Sequence, residues 1–174
     1  EQMSKEEWSS YRERITTSAR IGAEEYGLTV GIHAHAAGFM DFEPELERLL
    51  SEVDEEILKI CFDTGHHSYA GFDPVEFMQK YISRISYMHF KDIDPKVKKK
   101  VLDNRTGFYD ACGQGIFCNL GDGDVDFPTV RKILLENNFE GWCTVEQDCD
   151  PLLDPNPLSD AQLNREYLET IGFK

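Results

Sequence analysis

The sequence predicts an α/β chain that supplies the C-terminal half of a (β/α)₈ barrel, strands five to eight, as a single domain over residues 1–174. Three observations lead there. Helical and strand periodicities alternate, one helix and then four strand–helix units, which implies a parallel sheet with helical crossovers. Each strand ends in a polar cluster: His33/His35, Asp63/His66, His89/Lys91 and Glu146/Asp148. Successive strand residues face opposite ways, so His33 and His35, Cys61 and Asp63, His89 and Lys91, and Glu146 and Asp148 share one face. Val30, Ile32, Ile60, Phe62, Met88, Phe90, Cys143 and Val145 share the other. A barrel wall has one such apolar face, whereas a doubly wound open sheet is apolar on both. A full barrel needs eight units and about 250 residues.

The elements follow in order. Ser4 with Glu7 three residues on is a capping box, and it opens a helix over 4–26 that Gly27 stops. Residues 28–35 alternate as a strand. Residues 44–52 read as a helix and 57–63 as a strand, ended by Thr64-Gly65. Asp73-Pro74 is an N-cap followed by proline at the first helical position, for a helix to about Tyr81. Residues 85–90 are a strand. Residues 91–121 read as a long connection with a basic patch, Lys96 and Lys98 to Lys100, predicted as a solvated face. Asp126, Phe127 and Pro128 open a helix ending near Asn138. Residues 142–147 are a strand and 159–170 the last helix, after the Pro-rich stretch 151–157. Trp8, Trp142, Cys61 and Cys143 are expected to pack in the core.

Composition narrows the partners. The chain carries 18 Lys+Arg against 33 Asp+Glu, a formal charge of −15, which argues against nucleic acid and anionic membranes. No apolar run approaches the roughly 18 residues of a membrane span. Glu1 opens no signal peptide and is not an initiator Met, so the expectation is a piece of a longer protein. Five cysteines in a chain this size make no disulfide scaffold, and a reducing, cytoplasmic setting fits them.

Asp63, His89 and Glu146, on three neighbouring strand ends, are suited to one divalent cation, with His33 as a fourth ligand. Mixed oxygen and nitrogen ligation favours Mn²⁺, Co²⁺, Fe²⁺ or Zn²⁺ over Ca²⁺. The plain alternative is four polar side chains satisfied separately at strand ends. His35 is placed either behind His33, orienting it, or on the substrate. His67 is expected to pack or to sit on the surface.

Longer motifs sharpen this. Residues 61–71 read CFDTGHHSYAG, 88–94 MHFKDID, 119–127 NLGDGDVDF and 141–151 GWCTVEQDCDP, followed by NPL at 156–158. From about residue 28 onward they resemble the C-terminal portion of the inosose (2-keto-myo-inositol) dehydratase family. That family is a branch of the xylose isomerase-like TIM barrels in the sugar isomerase/epimerase superfamily. The resemblance implies metal ligands Asp63, His89 and Glu146, with His33 at a position where the wider superfamily usually has glutamate. It also implies a substrate-contacting His66.

The function expected is a metal-dependent hydro-lyase that dehydrates a keto-cyclitol in inositol catabolism, with Mn²⁺ or Co²⁺ ahead of Zn²⁺ or Fe²⁺. His66 or His35 is the expected base and Lys91 the charge-stabilising or proton-donating group, all three contacting substrate. The alternatives are a metal-dependent sugar isomerase or epimerase and a non-catalytic sugar-binding domain. The open edges of a half-barrel predict completion by an N-terminal half or by a second copy in a homo-oligomer.

Overall fold

The structure, a computed structural model, describes residues 3–38, 40–150, 152 and 156–173. Four strands form one parallel sheet in the order β1 (Gly31–His33), β2 (Lys59–Asp63), β3 (Ile85–Phe90), β6 (Trp142–Val145). Helices α1 (Lys5–Arg20), α2 (Glu43–Glu52), α4 (Pro74–Tyr81), α7 (Phe127–Glu136) and α8 (Pro157–Thr170) account for the anticipated helices. Their starts are chemically determined. Ser4 and Glu7 form the capping box of α1, and Asp73 and Asp126 cap α4 and α7 with proline in the first turn.

The face predicted as apolar is the packed one. Ile60, Phe62, Met88 and Phe90 are buried in the main core with Leu46, Leu49, Phe77, Phe127 and Val130 from the helices. Arg84 ties α2 to β2 from below, donating to the carbonyls of Leu50, Val53 and Leu58.

Several expectations need correction. The helix over 4–26 leaves α-geometry after Arg20 for a wider π-turn, Ile21–Glu25. The strand expected over 28–35 pairs only over Gly31–His33, so His35 lies in the loop beyond it. Residues after Asp63 do not continue as a strand but turn into a short helix, α3 (Thr64–Tyr69), because the Asp63 carboxylate caps it. The connection 91–121 is a structured insertion. It contains β4 (Asp92–Ile93) paired antiparallel with β5 (Phe117–Cys118), plus α5 (Pro95–Asn104) and α6 (Phe108–Gly113). The insertion has its own small core of Ile93, Val101, Ala111, Ile116 and Phe117. Within the basic patch Lys99 and Lys100 are exposed, whereas Lys98 is partly buried and bonds the Ser68 carbonyl at 2.5 Å.

Trp8 is buried, but Trp142 is 78 % exposed, because β6 is the last strand of the sheet and its inward-facing residues have no neighbour beyond them. Cys143 packs on the core, while Cys61 points inward with its Sγ 3.7 Å from His89 Nε2. Of the Pro-rich stretch 151–157, residues 151 and 153–155 lie outside the described residues, as does Glu1. No helix among the described residues is long and apolar enough to cross a membrane.

Candidate metal and substrate site

Each letter of the D-T-G-H segment has a structural task. Asp63 ends β2 beside His89, its register partner on β3. Its Oδ1 accepts from the His66 backbone N–H at 2.8 Å, which starts α3 and folds His66 back over the strand ends. The Thr64 hydroxyl donates to the Lys91 carbonyl at 2.7 Å and accepts from the Lys91 N–H at 3.0 Å, locking β2 to the end of β3. Gly65 provides the bare backbone across which the Lys91 side chain lies; a Cβ there would stand 2.7 Å from Lys91 Cβ.

Lys91 is 0 % exposed. Its Nζ lies 2.8 Å from His66 Nε2, 2.9 Å from Glu146 Oε1, 2.9 Å from Asp148 Oδ2 and 3.3 Å from Asp63 Oδ2. Asp92 beside it is an anchor. Its carboxylate accepts the backbone N–H groups of Ile93, Gly121, Gly123 and Val125, which gathers the 119–125 loop against the insertion.

His89 Nδ1 lies 2.7 Å from Glu146 Oε2 and 3.5 Å from Asp63 Oδ2. Glu146 reaches there because its backbone continues the β3–β6 pairing by bonding the Phe90 carbonyl at 3.0 Å. His33 closes the group, its ring centroid 4.8 Å from that of His89. His35 packs on His66 at 3.8 Å between centroids, with Phe108 5.5 Å from His35 and Phe117 5.4 Å from His66. The insertion therefore roofs the site with aromatic rings. Lys91 is buried beneath that roof instead of standing at an open mouth.

Charge follows the geometry. Burial pushes the Asp63 carboxyl up, but His89, Lys91 and His66 outweigh it and hold the acid well below the usual range. Burial would also lower Lys91, yet Asp63, Glu146 and Asp148 keep its ammonium above its ordinary value. His66 is pushed down to about 3, chiefly by burial. Asp63 and Glu146 outweigh burial at His89 and raise it. Burial, helped by Asp63 and Glu146, pushes the Cys61 thiol up to about 11.

The donor set fits a divalent cation. His33 Nδ1, Asp63 Oδ2, His66 Nδ1 and His89 Nδ1 are buried without a hydrogen-bond partner. Buried polar atoms are rarely left so; those of His33, Asp63 and His89, gathered beside Glu146, are suited to a cation's ligands, whereas His66 Nδ1 belongs to a ring already held by Lys91. The close approaches around His89 Nδ1 lack hydrogen-bond angles. Asp63 divides its work, Oδ1 capping α3 and Oδ2 left without a hydrogen bond beside Lys91. The four ligands expected from the sequence fall into overlapping sets of donor atoms within 4.8 Å. These are Asp63, His66 and Glu146; His33, Cys61 and His89; and His33, His35 and His66.

Of the residues singled out from the sequence, His33, His35, Asp63, His66, His89, Lys91 and Glu146 all come together here. Asp148, Phe108 and Phe117 were not assigned to the site. Asp148 was visible as the inward neighbour of Glu146, but the aromatic residues had no signal because the insertion's helices were not anticipated. His67 turns away, is buried, and bonds Glu43 at 3.1 Å.

The model of the xylose isomerase-like TIM barrel family matches residues 1–171. The chain belongs to that family. This barrel chain is 37 % identical over 169 residues to an inosose dehydratase of Clostridium beijerinckii, covering 97 % of the chain and 56 % of the relative. It is 36 % identical over 164 residues to an inosose dehydratase of Clostridium botulinum, 94 % of the chain and 54 % of the relative. A rhizopine catabolism protein, MocC, of Rhizobium meliloti is 34 % identical over 96 % of the chain and 50 % of its own length. The xylose isomerase-like chain thus spans about half the length of the curated relatives it matches.

Among solved structures, a probable 3-DHS dehydratase, AsbF, of Bacillus anthracis superposes with a TM-score of 0.73 at 24 % identity, over 97 % of this chain and 58 % of that one. The IOLI protein with a bound zinc atom superposes at 0.71 and 18 % identity, over 98 % and 58 %. Both show the fold.

Proposed function

We propose that this chain is the C-terminal portion of a barrel that dehydrates a keto-cyclitol, 2-keto-myo-inositol, in inositol catabolism. The observation that carries the reading is the convergence of orphaned Asp63, His89 and His33 atoms beside Glu146, in a chain whose curated relatives are inosose dehydratases. Asp63, His89, Glu146 and His33 would hold the cation, Mn²⁺ or Co²⁺ ahead of Zn²⁺ or Fe²⁺. When bound, it supplies Lewis acidity at the substrate ketone and its neighbouring hydroxyl.

The remaining steps belong to side chains. A base, His35 or His66, takes the proton from the carbon next to the ketone. Positive charge at Lys91 favours the negative charge that then develops nearby. The hydroxyl on the following carbon leaves as water, with proton assistance, and a carbon–carbon double bond forms. Phe108 and Phe117 keep bulk water from the reacting carbons. The setting is a cytoplasmic enzyme, completed by an N-terminal half or by assembly as a homo-oligomer.

The test is turnover of 2-keto-myo-inositol by the full-length protein with Mn²⁺ or Co²⁺ added, following the enolic dione product by its absorbance. Folded, metal-loaded protein that leaves this ketone unchanged and interconverts ketose epimers instead would replace the reading with the epimerase one.

A further inference from the structure

The proposed reaction needs one group that accepts a proton from carbon and another that donates a hydrogen bond to oxygen. His35 and His66, whose tilted rings lie 3.8 Å apart between centroids, are interchangeable for these tasks in the sequence. We infer that the fold has fixed the ring hydrogens of both: His66 accepts from Lys91 through Nε2 and donates through Nδ1–H, and His35 donates Nδ1–H to the Ala36 carbonyl, which leaves Nε2 as the nitrogen its neutral ring accepts through. Lys91 fixes the first tautomer and the Ala36 carbonyl fixes the second.

The argument for His66 is a count of protons. An ammonium has three N–H groups and no acceptor, and a carboxylate only accepts. Lys91 Nζ makes three hydrogen-bond contacts, with Glu146 Oε1 at 2.9 Å, Asp148 Oδ2 at 2.9 Å and His66 Nε2 at 2.8 Å; Asp63 Oδ2, at 3.3 Å, is an ion-pair neighbour without hydrogen-bond geometry. The arrangement that satisfies all of them is an ammonium donating once to each. His66 Nε2 must then carry a lone pair, which leaves the imidazole proton on Nδ1. That Nδ1 is buried without a partner on a side chain 1 % exposed, so it is a donor with no protein acceptor, open to a substrate oxygen.

His35 is the mirror case. Its Nδ1 lies 2.7 Å from the Ala36 carbonyl oxygen. A carbonyl cannot donate, so Nδ1 carries the hydrogen, and in the neutral ring Nε2 then holds the lone pair. A second consequence concerns Lys91 and Asp148. With all three N–H groups committed and no exposed surface, Lys91 has none left for substrate. It is a positioning residue acting through His66, and Asp148 holds it in place by taking the third hydrogen bond.

The chemical use of the two tautomers rests on the dehydratase reading; the tautomers do not, and they are measured without substrate. Long-range ¹H–¹⁵N spectra of the full-length protein, labelled in histidine and loaded with diamagnetic Zn²⁺, report which ring nitrogen bears hydrogen. The expected result is Nδ1–H at both His66 and His35. Lys91→Met should release His66 to a mixture containing the Nε2–H form. It should also lower kcat by about 10²–10⁴ with KM little changed, the size of a lost or misdirected proton-handling group. Nε2–H at His66 in the wild-type protein overturns the inference, as does an unprotonated Nδ1 at His35. The wild-type spectrum decides even where Lys91→Met fails to fold. Nδ1–H at His66 without turnover of 2-keto-myo-inositol would sink the substrate assignment and leave the tautomer assignment standing.

Discussion

Gly65 and Lys91 share one space: the Lys91 side chain lies directly over the Gly65 backbone, and a methyl group at residue 65 would overlap its Cβ and Cδ at 2.7 and 2.8 Å. The glycine is thus part of how the lysine reaches His66, Glu146 and Asp148.

Gly65→Ala tests that packing. Lys91 is buried and held by three hydrogen bonds, so it cannot swing away as a surface lysine would. Overpacking of this kind costs about 1–3 kcal/mol. A lowered melting temperature and at least about a fivefold loss of turnover, the rate equivalent of the low end of that cost, are expected together. Wild-type values for both would show that Lys91 runs elsewhere.

The metal centre is checked by composition. Asp63→Ala, His89→Ala and Glu146→Ala should each strip the cation, read by elemental analysis of purified full-length protein, and reduce turnover to background. Cys61→Ser should keep near-native metal, because in the proposed site Asp63, His89, Glu146 and His33 supply the ligands without the Cys61 thiol. Metal that survives Asp63→Ala and Glu146→Ala but is lost with His89→Ala and with Cys61→Ser would move the site to the His33–Cys61–His89 group.

Asp92→Ala should destabilise the fold without touching the metal. Four backbone N–H groups converge on this carboxylate, and leaving a buried donor unmatched costs about 1–3 kcal/mol. A stability loss above about 2 kcal/mol in denaturant titration, with metal content intact, is the expected outcome.

His67 predicts a pH dependence. Burial pushes its imidazole down to about 4, against about 6.5 in an unfolded chain. Below pH 6.5 the unfolded state takes up the proton first, so stability falls as pH drops from about 6.5 to 4 and rises with pH across that window. The full contribution is on the order of 3 kcal/mol. His67→Phe should flatten that part of the stability curve between pH 7 and pH 5, measured by denaturant unfolding. An unchanged slope would mean that the Glu43 contact, 3.1 Å from Nε2, already holds the native ring protonated.

Much of the candidate site was legible because strand parity is a local property. Asp63, His89 and Glu146 needed only the alternation of Ile60, Phe62, Met88 and Phe90 to be placed on the inner face. Helices α4 and α7 were equally plain, since Asp-Pro and Asp-Phe-Pro fix an N-cap and a first turn within three residues. The insertion was not legible. Its strands β4 and β5 have two residues each, too short for any period, and they form because Asp92 gathers N–H groups from 29 to 33 residues away.

The sequence by itself determined the alternation of strands and helices, the apolar outer face and the inward row of titratable groups. These rest on periods of two and 3.6 residues. Tertiary structure alone decided that Lys91 is buried and saturated, that His66 is turned back by the Asp63 cap, and which ring nitrogens of His66 and His35 face Lys91 and the Ala36 carbonyl. Those outcomes depend on atoms brought together from β2, β3 and the segment after β6. A hydrogen bond between groups 25 to 57 residues apart leaves no periodic trace in the chain.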